Sequence, residues 1–332
     1  MSERGPFAVS AAEIAEAAAR IRPFVFRTPT IPCPVLTART RRPVHLKLES
    51  TQRTGSFKIR GATNAVRRIA DADAGRGVVT HSSGNHALAL ATAAADRGIP
   101  CRVVMPSNAS PMKRAAVEAA GATVVTSGDT AAEREAKANE VQAATGATMV
   151  PPYDHPWTIA GQGTIALEIL ADLPEAATLV VPVGGGGLIG GIAIAAKALR
   201  PDLRIVGAEP ELADDAAESK RTGRLAAQRP PVTVADGLRA PLGRLTFPIV
   251  ASLVDEIVTV PEAEIVAAMR LVMEEARLVI EPSAAVGVAA ILAGGAGGTG
   301  GSGGVGGDAS RPLACVLCGG NVDLARLPWL SR

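Results

Sequence analysis

Aromatic side chains are scarce in this sequence: five Phe, two Trp and one Tyr among 332 residues, 2% of the chain. Stacking platforms for nucleic-acid bases therefore have little to be built from. Net charge is scarce too, with 34 Lys and Arg set against 32 Asp and Glu, formally +2. A nucleic-acid partner needs a basic face, and this balance offers none. No apolar run reaches bilayer-spanning length. Met1-Ser2-Glu3-Arg4-Gly5-Pro6 lacks the apolar centre of a secretory leader. The expectation is a cytoplasmic protein with neither a nucleic-acid nor a membrane partner. Cysteine is limited to Cys33, Cys101, Cys315 and Cys318. The last two have the C-x-x-C spacing of a zinc or redox pair. They lie in Pro312-Leu313-Ala314-Cys315-Val316-Leu317-Cys318, which reads as a buried strand, where residues three apart face opposite ways. With no second pair and no nearby histidine, zinc is not expected.

What is present is an ordinary packed interior, 47% hydrophobic and mostly Ala, Val, Leu and Ile. The length exceeds what one core comfortably serves, so two domains are expected. Ser10-Ala11-Ala12-Glu13 is a capping box opening a helix to about Arg22. Val44 to Glu49 alternates as a strand, and Gly61 to Ala70 reads as a helix. From Val78 a rhythm begins: strands at 78–80, 101–105, 123–126 and 147–150, separated by helices at 85–97, 111–120 and 130–145. Strands separated by single helices mean crossover connections and a parallel sheet. A second series follows, with helices at 157–171 and 188–199, strands at 178–183, 203–208 and 257–260, then helices at 261–277 and 283–292 and the strand to Cys318. Residues 78–150 are therefore expected as a small domain inserted into a large one made of 1–77 and 151–332. The glycine-rich segment 294–310 is expected to be a disordered loop.

Three stretches suggest chemistry. Thr54-Gly55-Ser56-Phe57-Lys58-Ile59-Arg60-Gly61 places a lysine in an apolar setting. Such a lysine either carries its charge out to solvent or has its pKa lowered for Schiff-base chemistry. Val180-Val181-Pro182-Val183 leads into Gly184-Gly185-Gly186-Gly187 and then a helix from Leu188. Converging backbone N–H groups at a helix start suit a phosphate. Neither the Walker pattern nor Gly-x-Gly-x-x-Gly is present. His81-Ser82-Ser83-Gly84-Asn85-His86 joins a strand to a helix, the place where open α/β sheets bind ligands. It is either a helix cap or a nest for an anion such as a carboxylate. Glu209, Ala213 and Asp215 follow a strand end and offer oxygens to a hard cation, although acidic clusters are usually solvated caps. Lysine, phosphate loop and carboxylate-type loop together point to pyridoxal phosphate (PLP).

These motifs, with Glu281-Pro282-Ser283-Ala284-Ala285 and Cys318-Gly319-Gly320-Asn321-Val322-Asp323, resemble the serine racemase / threonine–serine dehydratase group of fold-type II PLP enzymes. The match runs in order through almost the whole chain. The resemblance implies a tryptophan-synthase-β-like α/β fold with the cofactor in the cleft between two domains, and a homodimer. It makes Lys58 the Schiff-base lysine, with Phe57 beside the ring. Asn85 would bond the ring hydroxyl, Gly184 to Leu188 the phosphate, and Cys318 the pyridine nitrogen. Ser82, Ser83, Asn85 and His86 would take the substrate carboxylate. Ser83 would be the acid/base on the face opposite Lys58, and Asp236 would lie near the substrate hydroxyl. Glu209, the Ala213 carbonyl and Asp215 match the group's metal site for Mg²⁺, Ca²⁺ or Mn²⁺.

Cys318 departs from the commoner Ser at that place. Thiol and hydroxyl alike leave the pyridine nitrogen largely neutral, a weaker electron sink that favours loss of a β-hydroxyl. The expected activity is therefore PLP-dependent dehydration of L-threonine or L-serine to a 2-oxo acid and ammonia. An amino-acid racemase and a 3-hydroxyaspartate ammonia-lyase are the nearest alternatives. A ligand-binding protein without catalysis is a more distant one. Only a short tail follows Asn321, so an unregulated, catabolic enzyme is expected. Tyr153 stands where the mammalian racemase has a nucleotide-contacting asparagine, so activation by ATP is not expected.

Overall fold

A computed structural model describes residues 6–227, 229–294, 305 and 308–330. Most of the glycine-rich segment 294–310, expected to be disordered, lies outside the described residues. The chain opens with α1 (Ala11–Ile21), β1 (Thr30–Pro32), α2 (Pro34–Thr40), β2 (Val44–Lys47), α3 (Lys58–Arg68) and α4 (Asp71–Ala74). Next come β3 (Val78–His81), α5 (Asn85–Arg97), β4 (Cys101–Pro106), α6 (Pro111–Ala119), β5 (Thr123–Ser127), α7 (Ala131–Thr145) and β6 (Thr148–Met149). The remainder is α8 (Pro156–Asp172), β7 (Thr178–Pro182), α9 (Gly187–Leu199), β8 (Arg204–Pro210), α10 (Asp215–Thr222), α11 (Thr246–Leu253), β9 (Glu256–Val260), α12 (Glu262–Glu274), α13 (Pro282–Ala293) and β10 (Leu313–Val316).

The strands form two sheets, a six-stranded one ordered β1-β2-β10-β7-β8-β9 and a four-stranded one ordered β5-β4-β3-β6. All pairings are parallel except β1 with β2, whose register sets Thr30 opposite Lys47. Parallel strands need helical crossovers that cover both faces, and central β10 is apolar accordingly; its Leu313, Ala314, Cys315 and Val316 are all buried. The connections that leave the carboxyl ends of β3, β7 and β10 converge on one cleft. That is where an open parallel sheet leaves room for a ligand.

Several elements and one core differ from the sequence-based expectations. α3 begins at Lys58, not Gly61, because the Phe57 N–H donates to the Cys318 carbonyl (3.1 Å) and ties the helix start to the end of β10. The strand expected to reach Cys318 ends at Val316, leaving Cys318 on the cleft side. α10 and α11 were not foreseen; the first is short and polar and the second lies in a Pro-interrupted stretch. The four-stranded sheet uses only residues 78–149, but its core draws on Ile59, Ala62, Ala65 and Val66 of α3. α3 is thus shared: one face packs on α5 and another on α8. The α8 contact is close, since a Cβ on Gly161 would stand 2.5 Å from the Gly61 Cα.

A buried ionic network fixes the remaining side of α3. Arg60, 1% exposed, donates to both Glu49 oxygens (2.8 and 2.7 Å) and both Glu168 oxygens (2.7 and 2.9 Å). Lys47 Nζ joins through Glu168 (2.7 Å) and the Thr28 carbonyl (2.6 Å), so two cations meet two carboxylates. Burial opposes the Arg60 charge, but Glu49 and Glu168 outweigh it and raise its pKa. Arg60 lies two residues beyond Lys58, roughly opposite on the helix. The network therefore holds the inner side of α3 while Lys58 faces the cleft.

Candidate active site

The cleft has a volume of about 590 Å³ and is walled by both sheets' loops. Lys58 opens it from one side. Its Nζ donates to the Pro152 carbonyl (2.7 Å) and lies 5.0 Å from the Phe57 ring centroid. Burial lowers its pKa to about 8, against the opposing pull of Glu281. At neutral pH a useful fraction is then free amine, the form a nucleophile or base requires.

Opposite lies the glycine loop. Gly186 caps α9 in the left-handed region, φ 82°. A Cβ on Gly185 would stand 2.3 Å from the Tyr153 ring. Thr246 Oγ1 donates to the Gly185 carbonyl (2.9 Å), fixing the loop from behind. Its backbone N–H groups at the start of α9 form an anion cradle, with Gly184, Gly185, Gly186, Gly187 and Leu188 all in the cleft wall.

Ser82, Ser83, Gly84, Asn85 and His86 line the cleft from the small-sheet side. Asn85 Nδ2 donates to both Glu281 oxygens (2.9 and 3.1 Å), and its Oδ1 accepts from Asn321 Nδ2 (2.9 Å). His86 is more deeply set than its expected carboxylate role suggests, being 2% exposed. Its Nε2 lies 2.9 Å from the Val150 carbonyl, so that nitrogen carries the proton and Nδ1 keeps a lone pair. Burial, with Lys58 nearby, lowers its pKa to about 3, so the ring is neutral and Nδ1 offers no proton to a carboxylate. Asp236 lies at the mouth, where its Oδ2 pairs with Lys113 Nζ of α6 (2.7 Å) across the cleft. Cys318 closes the inner end. Burial, with Glu281 close by, raises its thiol pKa well above the usual range, so it stays protonated and can donate.

Glu209, Ala213 and Asp215 are not in the cleft wall. Glu209 ends β8, with its oxygens accepting the Ala216 and Ala217 N–H groups at the start of α10 (2.9 and 2.8 Å). Asp215 Oδ2 is buried without a partner. Burial chiefly raises both acids, Glu209 well above its usual value and Asp215 to about 6.

Four functional candidates have no assigned role in the motifs. Glu281 and Asn321 sit inside quoted motifs, and an acid before Pro282 at a helix start was the available signal. Tyr153 and Lys113 reach the cleft only through tertiary packing. The residues fit PLP: a lysine of lowered pKa, a glycine cradle that Cβ atoms would fill, and a neutral thiol at the far end.

The chain matches the family described as pyridoxal-phosphate dependent enzyme over residues 21–305. It belongs to that family. It is 43% identical over 330 residues to the serine racemase of Oryza sativa subsp. indica, covering 99% of this chain and 96% of that one. It is 43% identical over 310 residues to the beta-hydroxyaspartate dehydratase of Paracoccus denitrificans, covering 93% and 95%. The solved T.th. threonine deaminase superposes with a TM-score of 0.87 at 40% identity, covering 96% and 100%. The fold is therefore the fold-type II PLP enzyme fold, and the resemblance to serine racemases and threonine–serine dehydratases holds. Among the described residues no helix is long and apolar enough to cross a membrane.

Proposed function

We propose that the chain is a PLP-dependent ammonia-lyase that dehydrates L-threonine or L-serine to a 2-oxo acid and ammonia. The observation that carries this reading is Lys58, a buried lysine in the cleft wall whose pKa is lowered to about 8. PLP, when bound, supplies an electrophilic carbon for the substrate amine and a ring that takes up the electrons released at Cα. Lys58, as free amine, removes the proton from Cα. The Ser82–His86 loop orients the substrate carboxylate with its hydroxyls and backbone N–H groups. Cys318 keeps its proton and so adds no charge at the inner end. Loss of the β-hydroxyl as water leaves an enamine that tautomerises to an imine, and water then adds to the imine and expels ammonia to leave the 2-oxo acid.

Elimination needs one base, whereas racemisation needs one on each face. Ser83 lines the cleft but makes no hydrogen bond to a basic side chain among the described residues, which supports the one-base reaction. A second reading is favoured by two other cleft residues. Among the described residues Arg134 and Arg239 bond only carbonyls, of Asp129 (3.0 Å) and Thr233 (2.7 Å), and keep donors for a substrate with a second carboxylate. With the Paracoccus relative, this supports 3-hydroxyaspartate as substrate.

Glu209, the Ala213 carbonyl and Asp215 would hold Mg²⁺, or Ca²⁺ or Mn²⁺. The unpartnered Asp215 oxygen and the raised pKa values of both acids fit a cation that relieves their burial. Among the described residues no three His, Cys, Asp or Glu side chains converge, so carbonyl and water oxygens would complete the shell. The ion would be structural, joining β8 to the start of α10. After EDTA treatment, Mg²⁺ is expected to raise the melting temperature of the wild type and leave Asp215→Ala unmoved. Equal shifts would dismiss the site.

The activity is tested by incubating the PLP-loaded enzyme with L-Ser, L-Thr, D-Ser and 3-hydroxyaspartate, following oxo-acid release and chirality together. Oxo-acid formation from L-Thr or L-Ser should exceed interconversion of enantiomers. The reverse order would make it a racemase. Lys58→Ala should abolish turnover, and retained turnover would sink the mechanism.

A further inference from the structure

Asn85 stands in the small-sheet wall of the cleft, while its three polar contacts all reach the other side. Asn321 Nδ2 donates to Asn85 Oδ1 (2.9 Å) and to the Thr54 carbonyl (2.8 Å). Since that amide nitrogen can only donate, Asn85 must present its oxygen to Asn321 and its nitrogen to Glu281. Glu281 caps α13, is 5% exposed, and is itself held by the Gly319 carbonyl, which accepts its N–H (3.0 Å). A Cβ on Gly319 would lie 2.4 Å from its Oε1, so the carboxylate sits in space that only glycine at 319 leaves open. One polar chain, Glu281–Asn85–Asn321–Thr54, thus spans the cleft. It joins the start of α5 to the segment immediately before Lys58.

We propose that Glu281 is a positioning residue: its carboxylate holds the Asn85 amide, and with it the Ser82–His86 loop, in register with Lys58, and it loosens that hold on taking up a proton. As an anion, Glu281 accepts from Asn85 through both oxygens. Once protonated, one oxygen carries a hydrogen, and the charge-assisted bond becomes a neutral one of roughly half the strength. The groups facing Glu281 set where this happens. Burial and Asp236 favour the proton, while the hydrogen bonds from Asn85 and the charge of Lys113 oppose it; Lys58 and the Cys318 thiol stand close by. The balance brings Glu281 to about 7, inside the working range of a neutral enzyme. The inference is independent of which amino acid is the substrate and of whether elimination or racemisation follows.

The test is hydrogen exchange of the PLP-loaded full chain at pH 6 and pH 8, corrected for intrinsic rates, on the peptide spanning 82–90. In the wild type, protection of the Ala87 and Leu88 amides, which bond the Gly84 carbonyl, should fall about fivefold at pH 6, the difference between a charge-assisted and a neutral hydrogen bond. Glu281→Gln is nearly isosteric and neutral, so it should show the lower protection at both pH values. Its kcat/KM profile should lose the acid limb near 7. Asn85→Ala, which leaves Glu281 intact, should also abolish the pH step in exchange. Equal wild-type protection at the two pH values would overturn the proposal. A step surviving in Glu281→Gln or in Asn85→Ala would do the same.

Discussion

Replacing Gly185 with alanine adds one methyl group at the tightest point of the phosphate cradle. The new Cβ would lie 2.3, 2.4 and 2.5 Å from Cγ, Cδ2 and Cδ1 of Tyr153, about 1 Å inside ordinary contact. An aromatic ring cannot yield as the end of a flexible side chain would. Either the ring turns out of the cleft wall or the loop retreats from the cavity. Overpacking of this kind costs about 1–3 kcal/mol, and a rigid partner places Gly185→Ala in the upper half of that range. Where the loop retreats, the penalty falls on the anion-binding shape, and PLP affinity drops about tenfold for each 1.4 kcal/mol. Two measurements separate the outcomes: thermal unfolding of the apoprotein, and absorbance titration with PLP. The decisive arm is a double-mutant cycle with Tyr153→Ala, which removes the obstructing ring. In that background the Gly185→Ala cost should shrink to a few tenths of a kcal/mol. An undiminished cost with the ring gone would refute the steric argument and assign glycine's role to backbone freedom instead.

Two further outcomes follow from the buried charges. Arg60→Met leaves the fully buried Glu49 without a cation and Glu168 with Lys47 alone, and should cost about 3–5 kcal/mol in denaturant unfolding, with little dependence on salt. Glu281→Gln should raise the melting temperature at pH 8 and raise it far less at pH 5. Folding lifts the Glu281 pKa from 4.5 to about 7, so the folded state favours the proton. The resulting penalty is full above 7 and is relieved as pH falls from 7 towards 4.5. At pH 8 the substitution removes a penalty of about 3 kcal/mol. Destabilisation at pH 8 would mean that the hydrogen bonds to Glu281 outweigh its burial. The same carboxylate would then weaken the fold while ordering the site, a common exchange where function needs a fixed geometry.

The parts of the site legible in the sequence are those where chemistry and chain neighbours coincide. Lys58 among small residues and four glycines between a strand and a helix carry their meaning within eight residues, and the family comparison bears out PLP. Helices with caps, such as the one opened by Ser10 and Glu13, were equally readable, because their signals are local. What escaped was long-range. Glu281 and Asn85 are 196 positions apart, and Asn321 and Asn85 are 236 apart. No periodicity encodes such meetings. The shared role of α3 was hidden for a related reason: polar Arg60, Thr63 and Asn64 are buried along with its apolar residues, so its apolar positions alone do not indicate the two cores it serves. His86 adds a detail that its motif does not carry. Its place in a motif suggested a ligand contact, while burial and the Val150 carbonyl fix its proton on the nitrogen turned away from that duty.

The strand order has a consequence for how the protein is made. β10 lies between β2 and β7 in the middle of the six-stranded sheet, yet it follows every other strand in the chain. During synthesis the four-stranded sheet, contiguous from Val78 to Met149, can assemble early, drawing α3 onto it. The larger sheet meanwhile has a gap at its centre, with unpaired edges on β2 and β7 that invite association with other chains. Only when Leu313 to Val316 slide into that gap does the Cys318 carbonyl reach the Phe57 N–H and set the first turn of α3. The lysine emerges among the first residues from the ribosome, but its surroundings are completed among the last. Nascent chains halted before Leu313 should therefore display a folded small sheet, bind chaperones through the open one, and form no competent lysine site.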